Sequence, residues 1–194
     1  MEARSRGYLP HIDHAHYQFI TYRLADSLPT AAVKSLHLIT DSNKRKRQLE
    51  VYLDAGYGFC LLAKDQHAQT VLDSWRYSAG KSYDLIAYVI MPNHVHLLIH
   101  PYQGQSLDAI VQRWKSYTAH MLNQQDKTSG RSVWMPDYWD RYIRDEQHFN
   151  RSVEYIHNNP VQAGLVGCAE DWCYSSIHGF KLPWEKADCK SGHR

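Results

Sequence analysis

Tyr83-Asp84-Leu85-Ile86-Ala87-Tyr88-Val89-Ile90, broken by Met91-Pro92-Asn93 and resumed as His94-Val95-His96-Leu97-Leu98-Ile99, governs how the rest of the chain is read. Both runs are rich in β-branched, aromatic and aliphatic residues, the composition of buried strands, and the Pro-Asn break between them suits a tight turn. A β-hairpin with its turn at Pro92-Asn93 is predicted. Side chains alternate along a strand, so His94 and His96 share one face, about 6–7 Å apart at Cβ, while Val95 and Leu97 point to the other.

Upstream of the hairpin, the aromatic-rich Tyr17 to Leu24 reads as a strand closed by Ser27-Leu28-Pro29. Ser42 can cap a helix that runs through Lys44-Arg45-Lys46-Arg47 to about Ala55, where Gly56 and Gly58 stop it. A second helix is predicted from Asp65 to Tyr77. Downstream, Leu107, Val111, Trp114, Thr118, Met121 and Leu122 fall on one side of a helix from Ser106 to about Gln125. Tyr138 to Ile143 reads as a strand, and Glu146 to His157 as a helix stopped by Asn158-Asn159-Pro160. This order predicts an α+β domain with helices packed on an antiparallel sheet.

At 194 residues the chain has room for one well-packed domain, expected over 1–180, with a flexible tail over 181–194. The 43% hydrophobic and 22% charged composition is that of a folded globular protein. A net charge of +2, from 22 basic and 20 acidic residues, does not by itself announce nucleic acid, but the basic residues cluster locally. Cys60, Cys168, Cys173 and Cys189 form no C-x-x-C pair, and the start of the chain shows no apolar signal stretch, so a cytoplasmic location is expected. No apolar run approaches the roughly 18–20 residues that span a bilayer, so no membrane role is expected.

Two imidazoles on one face can share a divalent ion and leave positions open for a phosphate oxygen. An H-x-H triplet alone is weak evidence, because His14-Ala15-His16 repeats the spacing with no visible partner. Tyr117 adds context: it lies about 80° from the middle of its helix's apolar stripe, with Arg113, His120 and Gln124 on the same flank. A phenol beside a cation and a metal-bound phosphate can ionise and act as a nucleophile.

Met91-Pro92-Asn93-His94-Val95-His96 resembles the H-hydrophobic-H motif of the single-tyrosine transposases. Arg6 to Pro10, Lys115 to His120, Tyr138 to Arg144 and Tyr155-Ile156-His157-Asn158-Asn159-Pro160 are similar to segments of the REP-associated tyrosine transposases within that group. The resemblance implies a ferredoxin-like or RRM-like sheet whose two histidines, with one ligand from the tyrosine helix, hold Mg2+ or Mn2+. It also implies a tyrosine that becomes joined to a DNA 5′ phosphate, acting on single-stranded or hairpin DNA of REP-type palindromes.

On this reading Tyr117 is the nucleophile, His94 and His96 are metal ligands, and His120 is the third ligand, with Gln124 as the alternative. Wider relatives carry a polar ligand, commonly Gln, four residues after the tyrosine; Met121 stands there and is a poor donor to hard cations. Lys44, Arg45, Lys46, Arg47, Arg113, Lys115 and Arg131 are the expected phosphate contacts, and Tyr8, Trp134 and Trp139 candidate stacking groups. Arg141 and Arg144 are out of alternation, so at most one faces the site. No chemistry is assigned to Asn158-Asn159-Pro160. The rival reading is a domesticated hairpin-binding protein without catalysis, and a monomer is expected, with a homodimer as the alternative.

Overall fold

The computed structural model describes residues 4–5, 10–11 and 16–181. Expectations that rest on Tyr8, His14, Cys189 and the tail beyond 181 lie outside the described residues. Within the basic start, Arg4–Ser5 (β1) and Pro10–His11 (β2) pair antiparallel. The main sheet holds Gln18–Arg23 (β3), Tyr83–Ile90 (β4), His94–Pro101 (β5) and Trp139–Tyr142 (β6), in the antiparallel order β4-β5-β3-β6. Numbering those four strands by chain order gives 2-3-1-4, the ferredoxin-like arrangement, and the α+β expectation holds.

The hairpin turns where the Pro-Asn break predicts, with Met91 N–H donating to His94 O at 2.9 Å. The helices are Thr30–Leu38 (α1), Ser42–Asp54 (α2), Asp65–Ser78 (α3), Leu107–Gln125 (α4) and Glu146–Gln162 (α5). Ser106 caps α4 as read, but Asp41 rather than Ser42 caps α2, its carboxylate accepting from Lys44 N–H at 2.7 Å. The short helix α1 was not foreseen. Pro29 precedes its first residue, and Ala32 and Leu36, one turn apart, bury its inner side.

Two apolar layers lie on opposite faces of the sheet. One joins Ile20, Tyr22, Val95, Leu97 and Ile99 to Val71 and Trp75 of α3 and to Ile110, Val111, Trp114 and Leu122 of α4. The other joins Phe19, Val89 and Leu98 to Phe149, Val153 and Ile156 of α5. Strand alternation therefore assigns each face its own helices, and His94 and His96 belong to the α5 face.

The helix α5 does not stop at Asn158-Asn159-Pro160. It runs through Pro160 to Gln162, and closes where Gly164 takes φ 68°, with Leu165 N–H returning to Pro160 O at 2.9 Å. Proline removes one N–H but leaves the following carbonyls free to bond, and less than a turn from the end little ladder remains to disrupt. The consequence is that Asn159 is a helical residue, four positions after Tyr155 and on the same side of α5.

Candidate active site

The imidazoles of His94 and His96 are buried, their ring centroids 4.8 Å apart. The Asn93 amide NH2 donates to Leu53 O at 3.1 Å and Tyr57 O at 3.2 Å, which leaves its oxygen to accept from His94 Nδ1 at 2.8 Å. That sets the tautomer and leaves the His94 Nε2 lone pair free. His96 Nδ1 meets Thr21 Oγ1 at 2.7 Å across the β3–β5 ladder, and the hydroxyl can accept in the same way. Both Nε2 atoms are buried without a hydrogen-bond partner. Burial holds both rings neutral, pushing the His94 pKa down to about 3 and that of His96 well below its ordinary value.

Above them, α5 presents Tyr155 and Asn159. The Tyr155 ring lies edge-on to His96 at 5.2 Å and to Phe19 at 5.9 Å. Burial raises the phenol pKa well above its ordinary value, and the Glu50 and Asp54 charges raise it further. Asn159 is fully buried beside His94 and Tyr155, yet neither end of its amide completes a hydrogen bond. Buried polar atoms without partners cost on the order of 1–3 kcal/mol each and call for an explanation.

Ligation is one. Among the described residues no cluster of three or more His, Cys, Asp or Glu side chains is arranged to hold a metal, so an ion at the histidine pair needs a donor of another type. The Asn159 amide oxygen is such a donor. Two neutral imidazole nitrogens and one amide oxygen fit a divalent ion such as Mg2+ or Mn2+ and leave positions for phosphate oxygens.

The third wall is α2, whose Lys46, Glu50 and Asp54 recur every four residues. Lys46 Nζ lies 3.5 Å from Glu50 Oε1, 5.3 Å from the Phe19 ring centroid and 5.9 Å from that of Trp139. Burial and the neighbouring Glu50 charge raise the Asp54 carboxyl to about 6.

The sequence-predicted residues divide sharply. Tyr117, 51% exposed, and the exposed His120 lie on α4, so the sheet stands between them and the histidines. Neither can join this site within one protomer, and neither can Gln124 or the exposed Arg113. Lys115 is buried and donates to Pro136 O, while Arg131 is a local clip, bonding Asp126 at 2.9 Å and Asn123 at 3.0 Å. In the basic run Arg45 caps Ile39 O, Lys44 and Arg47 face solvent, and Lys46 reaches the site. Trp134 is core, donating to Thr118 Oγ1 at 2.9 Å, whereas the half-buried Trp139 borders the site. On β6 Arg141 stands opposite Phe19, on the histidine face.

Missed from the sequence were Tyr155, Asn159, Glu50 and Asp54. A signal for the first two was present: a tyrosine followed four residues later by a polar donor is met by Tyr155 and Asn159, but reading Pro160 as a stop puts Asn159 outside the helix.

Comparison with known proteins adds four findings. Residues 62–159 match the family model described as "Transposase IS200 like". The REP-associated tyrosine transposase of Escherichia coli K12 is 28% identical over 98 residues, covering 50% of this chain and 56% of that protein. A Haemophilus influenzae relative is 30% identical over 107 residues, 50% of this chain and 60% of its own. The chain thus matches little more than half the length of either relative. The solved structure of a REP-associated tyrosine transposase bound to a REP hairpin superposes with a TM-score of 0.55 at 20% identity, covering 92% of this chain and 84% of the other, a likeness of fold. The resemblance read from the sequence is borne out.

Proposed function

From a chain that belongs to the IS200-like transposase family, we propose a metal-dependent enzyme that cuts and rejoins single-stranded DNA beside REP-type hairpins, with Tyr155 rather than Tyr117 as its nucleophile. The observation that carries this reading is the placement of Tyr155 and Asn159, one helical turn apart, over two buried imidazoles with free Nε2 atoms.

His94, His96 and Asn159 would hold Mg2+ or Mn2+. When bound, the ion withdraws charge from the scissile phosphate and lowers the barrier to attack. Tyr155 Oη, on a ring held against those of Phe19 and His96, would attack phosphorus, and the Glu50 carboxylate, whose charge acts on the phenol, would receive its proton. A phosphotyrosine and a free 3′ hydroxyl result, and reversal reseals the strand without a hydrolytic water. One protomer supplies all five groups, so a monomer suffices. The phosphate-binding assignment narrows to Lys44, Lys46 and Arg47, with Arg141 added.

The test is denaturing electrophoresis after incubation of labelled palindromic DNA carrying single-stranded flanks with Mg2+, Mn2+ or chelator. A covalent protein–DNA band is expected in wild type with metal, absent with chelator and absent in Tyr155→Phe. Tight hairpin binding with no band under any condition would instead support the non-catalytic hairpin-binding reading.

A further inference from the structure

The helix α2 precedes residues 62–159, the part that the transposase family model matches, yet it forms a wall of the site. Of its four consecutive bases only Lys46 turns inward. Arg45 is committed to Ile39 O, and Lys44 and Arg47 are exposed. The Lys46 side chain is 23% exposed and spans Phe19 and Trp139, and Phe19 is the ring that touches both His96 at 5.6 Å and Tyr155 at 5.9 Å. Its ammonium is paired only loosely, at 3.5 Å, with Glu50, whose charge also acts on the Tyr155 hydroxyl. The charge is felt at His96, and Arg141 acts on Lys46 from β6. A half-buried cation one aromatic ring away from the tyrosine, with two N–H groups to spare, is placed for an anion.

We propose that Lys46 is a catalytic residue of the phosphoryl transfer: its ammonium binds a non-bridging oxygen of the phosphate that Tyr155 attacks. The inference rests on the Tyr155 reading above. In the step the Tyr155 O–P bond forms, the P–O3′ bond breaks, and the electron pair leaves with O3′, which gains the proton the phenol lost. The diester keeps its single negative charge before and after, but that charge spreads over more oxygens in between. A fixed cation on an equatorial oxygen stabilises that arrangement more than the ground state. Glu50, besides its role as acceptor of the phenol proton, draws Lys46 toward the site.

Two measurements on the full chain separate this from a structural role and from the fate of the Tyr155 reading. The first is the single-turnover rate of covalent adduct formation at saturating DNA. Lys46→Gln is expected to lose about 100-fold while its Kd moves by no more than about fivefold, and Lys46→Arg to regain about tenfold. The control Arg113→Gln, an exposed base on α4 across the sheet, is expected to keep the saturated rate. A Lys46→Gln rate within twofold of wild type, or equal losses for Gln and Arg, overturns the proposal.

The second measurement uses no chemistry: binding of DNAs in which each flanking linkage in turn is a neutral methylphosphonate, to Tyr155→Phe with and without Lys46→Gln. One linkage should weaken binding about fivefold only when Lys46 is present, and it should be the linkage that wild type joins to protein. A different linkage, or none, overturns the proposal. If wild type forms no adduct, the nucleophile reading fails by itself, and a scan with one Lys46-dependent linkage still sustains the phosphate contact while a blank scan removes it.

Discussion

The two faces of the sheet use similar residues to opposite ends. On the α3–α4 face the polar atoms of large aromatics are paired: Trp75 Nε1 donates to Tyr22 Oη at 2.9 Å, Trp114 Nε1 to Tyr83 Oη at 3.0 Å, and Tyr83 Oη to Trp75 O at 2.5 Å. On the α2–α5 face His94 Nε2, His96 Nε2, both ends of the Asn159 amide and Asp54 Oδ1 are buried without partners. The first face pairs the polar atoms of its large aromatics, although the Gln125 amide oxygen is buried there without a partner, and it serves stability. The second keeps a free-energy cost that a ligand can relieve, and that difference, more than any motif, separates scaffold from site.

Exchanging the tyrosines of the two faces should break this comparison most visibly. Tyr155→Phe is expected to cut covalent adduct formation by at least about 10³-fold, and Tyr117→Phe to leave it within about twofold, read on the same denaturing gel. The reverse result would return the nucleophile to α4. On the scaffold face Trp114→Ala should cost about 3–5 kcal/mol in urea unfolding, while the surviving folded fraction still binds Mn2+.

His96→Leu sharpens the contrast from the other side. Without metal it should be no less stable than wild type, because it removes an unpaired buried nitrogen, and the rise in Tm expected for wild type on adding Mn2+ should be absent. A large metal-free loss of Tm would mean that the imidazole is a structural group.

The smallest effect expected is at Asp54. Its folded pKa of about 6 exceeds the ordinary carboxyl value, so between pH 4 and 6 the folded state binds more protons than the unfolded one and stability falls as pH rises. Asp54→Asn should therefore raise Tm at pH 7.5 and change it little at pH 4. Equal shifts at both pH values would show that the carboxyl charge is not the cause.

Much of the fold was legible because local signals agreed. The hairpin, α3 and α4 combine clean periodicity with Pro, Gly or Ser punctuation at their ends. The histidine pair was legible too, since strand alternation alone puts His94 and His96 together. Their partners were not, because strand alternation says which residues share a face but not which helix covers it. Tyr117 was favoured by its helix flank, and only the packing of Trp114 and Val111 against Leu97 shows that this helix took the other side. Glu50 and Asp54 looked like ordinary surface charges on a polar helix, and their burial is a tertiary fact.

Asn93 has a consequence beyond selecting a tautomer. Its amide is a two-ended fastener, the nitrogen on the carbonyls of Leu53 and Tyr57 and the oxygen on His94. The end of the helix that carries Lys46 and the aim of the His94 ring are thus set by one torsion. Movement of α2 when a strand enters or leaves would be transmitted to His94 through that torsion, so substrate loading and ligand alignment would report on each other.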